Sequence, residues 1–298
     1  MSPQLTALVT GATGQQGGAV AMALLDRGHR VRAFTRKPEA ARTLAARGAE
    51  VVVGDFTDPA TLVEAARAVD IVFLMGNSWE AGPAVEAAQG VAAVDALAQA
   101  GLGHLIYSSV ASADRETGIP HFDSKYAVEK RLAASGLRST VVAPAAFMDN
   151  QIGPWSIGPL LAGTLAMALP PDRLLQQVAV ADIGRFVALV AERRDEFVGR
   201  RIDIAGDAPT GAEMAAALSR AMGRPVTYAE VPLEALRQQN PEAAIMFEWF
   251  DRVGYSADIA GLQREFPEVG WTDFAGWANG VDWRAIEQRQ AATAEGAS

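Results

Sequence analysis

The chain contains no cysteine. Disulfides, thiol nucleophiles, thiolate metal sites and cysteine-based redox sensing are therefore excluded. No apolar run approaches the roughly 18 residues of a membrane span, so no membrane partner is expected. Basic residues never cluster beyond pairs: Arg36-Lys37, Lys130-Arg131, Arg193-Arg194 and Arg200-Arg201. With a net charge of −9 and a pI near 4.9, the chain repels a phosphate backbone, and nucleic acid is not an expected partner. The first strand-like run begins within a few residues of the start and leaves no room for a signal peptide. A cytoplasmic location is the expectation.

What is present is a chain of 298 residues, half of them hydrophobic and a fifth charged, long enough to bury a large core. Strand-like runs at 7–10, 31–34, 50–53, 71–75, 104–108 and 139–143 alternate with helix-like segments at 17–27, 39–47, 59–68, 84–100 and 123–135. Such alternation without hairpin signals predicts a parallel sheet covered on both faces, a doubly wound α/β domain of the Rossmann type. After about Phe147 the rhythm breaks at Pro154, Pro159, Pro170 and Pro171. One α/β unit then returns, with a strand near 177–180, a helix over 182–193 and a strand at 201–204. The predicted organisation is a nucleotide-binding domain over 1–150, joined by 175–205, and a smaller, mostly helical substrate lobe from 151–174 and 206–298. Residues 291–298 are expected to fray.

Gly11-x-x-Gly14-x-x-Gly17 falls between the first strand and the first helix. Gly11 suits the tight turn off the strand, Gly14 admits a pyrophosphate to the backbone, and Gly17 lets the helix lie close on the sheet. The helix start offers N–H groups and a positive dipole end. An NAD-preferring site usually carries an acid at the end of the second strand, yet here no carboxylate precedes Glu39. Arg36 stands there instead, 19 positions after Gly17. Its guanidinium can grip a ribose 2′-phosphate, with Lys37 or Thr35 adding to it. A contact of ~1.5–3 kcal/mol favours NADP(H) by roughly ten- to hundredfold. The alternative is a solvated basic turn. Asp55 and Phe56 after the third strand, and Gly76 and Asn77 after the fourth, lie on the crevice side and are candidates for nucleotide contact or ordinary turn residues.

Ser108 and Ser109 end the fifth strand. Downstream, His121 and Lys125 share one helical face at i and i+4. A lysine there can bind a nicotinamide ribose and lower the pKa of a nearby proton donor. A histidine one turn earlier can donate to a developing alkoxide. The alternatives are a solvated lysine and a capping histidine.

The segments VTGATGQQGGAV (9–20), VRAFTRKP (31–38), GDFTD (54–58), PHFDSK (120–125), APAAFMDN (143–150), LQQVAVADIGRFVA (175–188), MFEWFDRVGY (246–255) and ADIAGL (257–262) together resemble the NmrA-like family, an atypical branch of the short-chain dehydrogenase/reductases. The resemblance implies an NADP-binding Rossmann domain and a small C-terminal lobe with the cofactor between them. It places Gly11, Gly14, Gly17, Arg36, Asp55 and Lys125 in cofactor roles, and Phe147 and Asn150 in a cleft wall. Thr13, Gln16, Lys37, Phe56, Gly76, Asn77, Ser108 and Phe147 complete the candidate cofactor contacts. Lys125, His121 and Ser108 are the candidate catalytic residues, and Met148, Asn150, Trp155 and Phe247 the candidate substrate contacts. No metal is implied.

The wider superfamily carries Tyr-x-x-x-Lys, whereas this chain has His121-x-x-x-Lys125. Tyr126 is no substitute, because one helical residue turns it about 100° from Lys125. Relatives that resemble quinone and triarylmethane-dye reductases transfer hydride without that tyrosine. The leading expectation is an NADPH-dependent oxidoreductase acting on a small apolar or conjugated acceptor of quinone, imine, dye or enone type. The alternative is a non-enzymatic NADP+/NADPH sensor acting through a protein partner. The sequence leaves a homodimer open.

Overall fold

The computed structural model describes residues 3–295. The strands are β1 (Thr6–Val9), β2 (Arg30–Thr35), β3 (Glu50–Val53), β4 (Ile71–Met75), β5 (Leu105–Ser108), β6 (Ser139–Pro144), β7 (Ala146–Phe147), β8 (Thr164–Met167), β9 (Gln177–Val178), β10 (Arg201–Ile204) and β11 (Thr227–Glu230). The first helices are α1 (Gln15–Asp26), α2 (Arg42–Ala46), α3 (Pro59–Ala65), α4 (Ser78–Ala81), α5 (Pro83–Gln99) and α6 (Pro120–Ala134). Then come α7 (Ile157–Leu161), α8 (Val180–Glu192), α9 (Arg194–Phe197), α10 (Gly211–Met222), α11 (Leu233–Gln239) and α12 (Pro241–Arg252). The last are α13 (Ile259–Glu265), α14 (Phe274–Gly280) and α15 (Trp283–Glu295). Among the described residues, no helix is long and apolar enough to cross a membrane.

Seven strands form one parallel sheet in the order β10-β6-β5-β4-β1-β2-β3. The inner strands read as continuous apolar runs because helices cover both faces. Leu8, Val72, Leu74, Leu105 and Tyr107 are buried with Leu62, Val94, Leu97, Val128 and Leu132 from the covering helices. The order reverses between β1 and β4, which makes their carboxyl ends the crevice of a doubly wound sheet. The fold class is the one the alternation predicts.

Two compact units emerge. The first runs through Ala145 and adds Val180–Ala205 and Ser256–Trp271. Helix α8 belongs to it because Gly184 lets the backbone of α1 approach: a Cβ there would overlap Ala19 O. The return of 256–271 departs from the expected boundaries, which gave everything after 205 to the lobe. The cause is aromatic. Phe266 and Trp271 pack on Phe186 of α8, with ring centroids 5.1 and 5.7 Å apart, and Arg185 donates to the carbonyls of Val269 (2.6 Å) and Gly270 (3.0 Å).

The second unit comprises Ala146–Ala179, Gly206–Tyr255 and the residues from Thr272. It is less purely helical than expected, since β8 and β11 pair in parallel. The strand expected near 177–180 is only β9, paired with β7 rather than with the large sheet, and Val180 already opens α8. Thr210 and Glu213 form a capping box at the start of α10. Tyr228 of β11 donates to Leu169 O at 2.6 Å, and burial pushes its hydroxyl up to about 12. The expected fraying fails for 291–295, which continue α15, while 296–298 lie outside the described residues.

Candidate functional site

The glycine turn carries two constraints that a side chain could not meet. Gly11 adopts φ +62°, and a Cβ on it would stand 2.7 Å from Met75 Sδ. A Cβ on Gly17 would overlap the carbonyls of Gly11 and Thr10. Gly17 thus fits α1 against its own entry turn, a closer neighbour than the sheet the sequence suggests. Gly14 is less constrained: its Cβ would meet only Gly11 O, at 3.3 Å, a tight contact that asks a small shift of the turn. Gly14 caps α1 without a side-chain bond, and no acid stands in the first turn. The helix therefore presents N–H groups and its positive end with no carboxylate in its own first turn to neutralise them. Thr13 is exposed beside this turn. This cradle has the shape and charge that a pyrophosphate needs.

Gln16 points the other way. Its Nε2 donates to Ser108 Oγ at 2.6 Å, so two candidate residues far apart in sequence meet across the carboxyl ends of β1 and β5. Ser108 accepts there, which leaves its O–H to donate elsewhere. Ser109 faces a different network: it donates to Glu129, which also accepts from Arg201 Nε at 2.8 Å. Burial raises the Glu129 carboxyl, opposed by the Arg201 guanidinium.

At the end of β2, Arg36 Nη2 donates to both oxygens of Glu80, each at 2.7 Å. The arginine expected to be available for phosphate therefore carries a carboxylate from α4. Lys37 is exposed, and its N–H donates to Thr35 Oγ1 at 3.0 Å. Asp55 Oδ1 accepts from Thr57 N at 2.8 Å; that bond holds its carboxyl below the usual range, with further help from Arg36. Phe56 packs on Phe34 with centroids 5.9 Å apart, as a core contact would. Asn77 Oδ1 accepts from Trp79 N at 3.0 Å, so its side chain caps α4.

Helix α6 begins at Pro120, three positions before the expected start, because proline suits the first helical turn. His121 and Lys125 are accordingly both helical. The His121 ring is buried between Phe122 (4.9 Å, edge-on) and Trp79 (5.5 Å). Lys125 Nζ donates to Glu86, whose other oxygen accepts from Ser124 Oγ at 2.6 Å. The Glu86 side chain is only 1% exposed and that of Lys125 16%. Gly76 is small because Glu86 lies over it: a Cβ would come within 2.7 Å of Glu86 Cγ. Tyr107 is fully buried; its hydroxyl donates to Lys125 O at 3.4 Å, and burial drives its pKa well above the ordinary value.

Glu80, Glu86 and Trp79 escaped the sequence reading. An acid in the first turn of a helix ordinarily complements the dipole, and nothing local marks Glu86 as the partner of a lysine on α6. The one available signal was a carboxylate opening an alanine-rich, core-facing helix.

Phe147, Met148, Asn150, Trp155 and Phe247 belong to the second unit. Phe147 is half-buried in β7. Met148 is wholly buried and offers no surface to a ligand, contrary to its expected substrate role. Trp155 is 92% exposed, so the apolar wall expected of it is not built around its ring. Asn150 is exposed, and its carbonyl accepts from Gly153 N at 3.1 Å. Phe247 is half-buried, edge-on to Phe250 at 5.8 Å. Among the described residues, no group of three or more His, Asp or Glu side chains could hold a metal ion.

The chain is 37% identical over 233 residues to the (4-alkanoyl-5-oxo-2,5-dihydrofuran-3-yl)methyl phosphate reductase of Streptomyces griseus subsp. griseus, covering 77% of this chain and 78% of that protein. It is 30% identical over 234 residues to the NAD(P)H azoreductase of Xenophilus azovorans, covering 78% and 79%. Among solved structures, the Citrobacter sp. triphenylmethane reductase complexed with NADP(H) aligns with a TM-score of 0.75 at 23% identity, over 87% of this chain and 94% of that one. At that identity the likeness speaks for the fold. The profile of the NmrA-like family matches residues 3–286, and the chain belongs to that family.

Proposed function

We propose that the chain binds NADP(H) and reduces a small, apolar or conjugated acceptor. The observation that carries this reading is the uncapped, carboxylate-free start of α1 behind a turn whose Gly11 and Gly17 tolerate no side chain. The kinship with an azoreductase and with a reductase of an (alkanoyl-oxo-dihydrofuranyl)methyl phosphate supports a conjugated acceptor. Both are proteins of which the chain covers more than two thirds.

The cofactor, when bound, supplies the hydride. The residues of this chain do the rest. The N–H groups at the start of α1 hold the pyrophosphate, and Gly14 keeps the approach clear. Arg36 faces the ribose at the end of β2. Lys125, held by Glu86, binds the nicotinamide ribose and places positive charge beside the reacting face. Ser108, with its acceptor position filled by Gln16, directs its O–H toward developing negative charge. His121 is the proton donor for acceptors that require one. Acceptors such as quinones or azo dyes stabilise negative charge themselves, which is consistent with a chain lacking the tyrosine of the wider superfamily.

Steady-state NADPH oxidation with a panel of quinones, azo dyes, imines and α,β-unsaturated lactones tests this reading. Turnover of at least one class is expected. Tight NADPH binding without turnover of any acceptor would sink the reductase reading and favour the sensor. A sensor must bind the two redox forms, or their protein complexes, with unequal affinity, because equal affinity shifts no population. One observation favours that second reading: Lys125 already has a buried carboxylate partner, as a purely structural lysine would.

A further inference from the structure

A carboxylate at the end of β2 is the usual device for accepting from an unphosphorylated ribose, and β2 of this chain ends in Arg36. The missing carboxylate arrives from elsewhere. Glu80, on α4, brings both of its oxygens to 2.7 Å of Arg36 Nη2. We infer that Glu80 sets the cofactor specificity of this site, and that the Arg36–Glu80 pair lets the chain take NADH as well as NADPH. This inference rests on the proposed nucleotide site.

The chemistry follows from the two partners. A 2′-hydroxyl needs an acceptor, which Glu80 provides while remaining near the guanidinium. A 2′-phosphate needs Arg36, and it meets in Glu80 a like charge that it must displace. Displacement is cheap because the Arg36 and Glu80 side chains are 51% and 54% exposed, and an exposed ion pair contributes little. Helix α4 nevertheless keeps returning the carboxylate to this place. Asn77 caps its first turn, Gly82 N closes its last on Ser78 O at 2.9 Å, and the neighbouring Trp79 ring lies 5.5 Å from His121. Glu80 is thus delivered by the end of β4, not by its distance in sequence from the glycine turn. That is why a reading of the segment after β2 alone points only to the phosphorylated cofactor.

Titration calorimetry of NADPH and NADH against the wild type, Glu80→Gln and Glu80→Gln/Arg36→Ala tests the inference. The wild type is expected to bind both dinucleotides with affinities within about tenfold. Glu80→Gln is expected to tighten NADPH about fivefold and to weaken NADH by a similar factor, the scale of one exposed charge contact. In the Arg36→Ala background the gain for NADPH should vanish. Binding of both dinucleotides with a ratio indifferent to Glu80→Gln overturns this inference alone. Capture of neither by the wild type overturns the nucleotide reading, and this inference with it.

Discussion

Lys125→Met leaves the Glu86 carboxylate buried, with Ser124 Oγ as its remaining partner at 2.6 Å. Stranding a buried charge in this way costs about 3–5 kcal/mol, because one hydroxyl donor does not replace the ammonium. Glu86→Gln removes the charge that Lys125→Met strands, so the loss in the double variant is much smaller than the sum of the two single losses.

Urea denaturation of the wild type, Lys125→Met, Glu86→Gln and the double variant at pH 7 measures this. The double variant should recover most of the loss, with a coupling energy of at least about 1 kcal/mol. Additive losses within about 0.5 kcal/mol would refute the reasoning. The double variant also isolates function. If it is stable yet binds NADPH at least tenfold more weakly, Lys125 holds the cofactor as well as Glu86.

Gly17→Ala should destabilise the chain by about 1–3 kcal/mol, since its Cβ overlaps backbone and not a movable side chain. Gly14→Ala should cost less stability than Gly17→Ala while weakening NADPH binding at least tenfold by calorimetry; a folded variant with wild-type affinity removes the pyrophosphate from that turn. His104 is buried, with Nε2 at 3.0 Å from Thr140 Oγ1 and Nδ1 without a partner, and burial lowers its pKa to about 4. Stability from its neutral form is complete above pH 6.5 and is lost as the pH falls toward 4, by about 3 kcal/mol in total. The difference between wild-type and His104→Leu denaturation curves across that window checks it, the variant showing the shallower pH slope. His121→Gln should lower kcat at least tenfold toward acceptors that need a proton, with NADPH affinity unaltered; equal rates make His121 a packing residue.

The sheet was legible because its inner strands are buried runs of apolar residues separated by helical spacing, and both periods are local properties. Helix α6 began early because Pro120 marks a first turn as readily as it marks a loop. The lobe boundary was not legible. Phe266 and Trp271 look like any aromatic residues in a helical tail until Phe186 is seen beneath them. Residues β8 and β11, four each, are too short for alternation to distinguish them from irregular chain. For the site, Gly11 and Gly17 were legible because backbone geometry demands glycine where the motif has it. The substrate assignments suffered from composition alone: an aromatic or methionine after a strand end says nothing of whether it is buried like Met148 or solvated like Trp155.

The least legible feature is where two carboxylates come from. Two of the cations that the sequence offers to a nucleotide, Arg36 and Lys125, stand on different elements, yet both find carboxylates in the stretch 78–86 after β4. The two pairs are not equivalent. Lys125–Glu86 is buried, so separating its partners is costly and the lysine stays oriented. Arg36–Glu80 is half in water, so its partners exchange easily with an incoming group. One short segment therefore fixes the cation at the candidate reacting end and leaves the cation at the ribose end adjustable. A carboxylate drawn from that segment acts on residues far from it in sequence, which is why charge patterning along the chain shows neither pair.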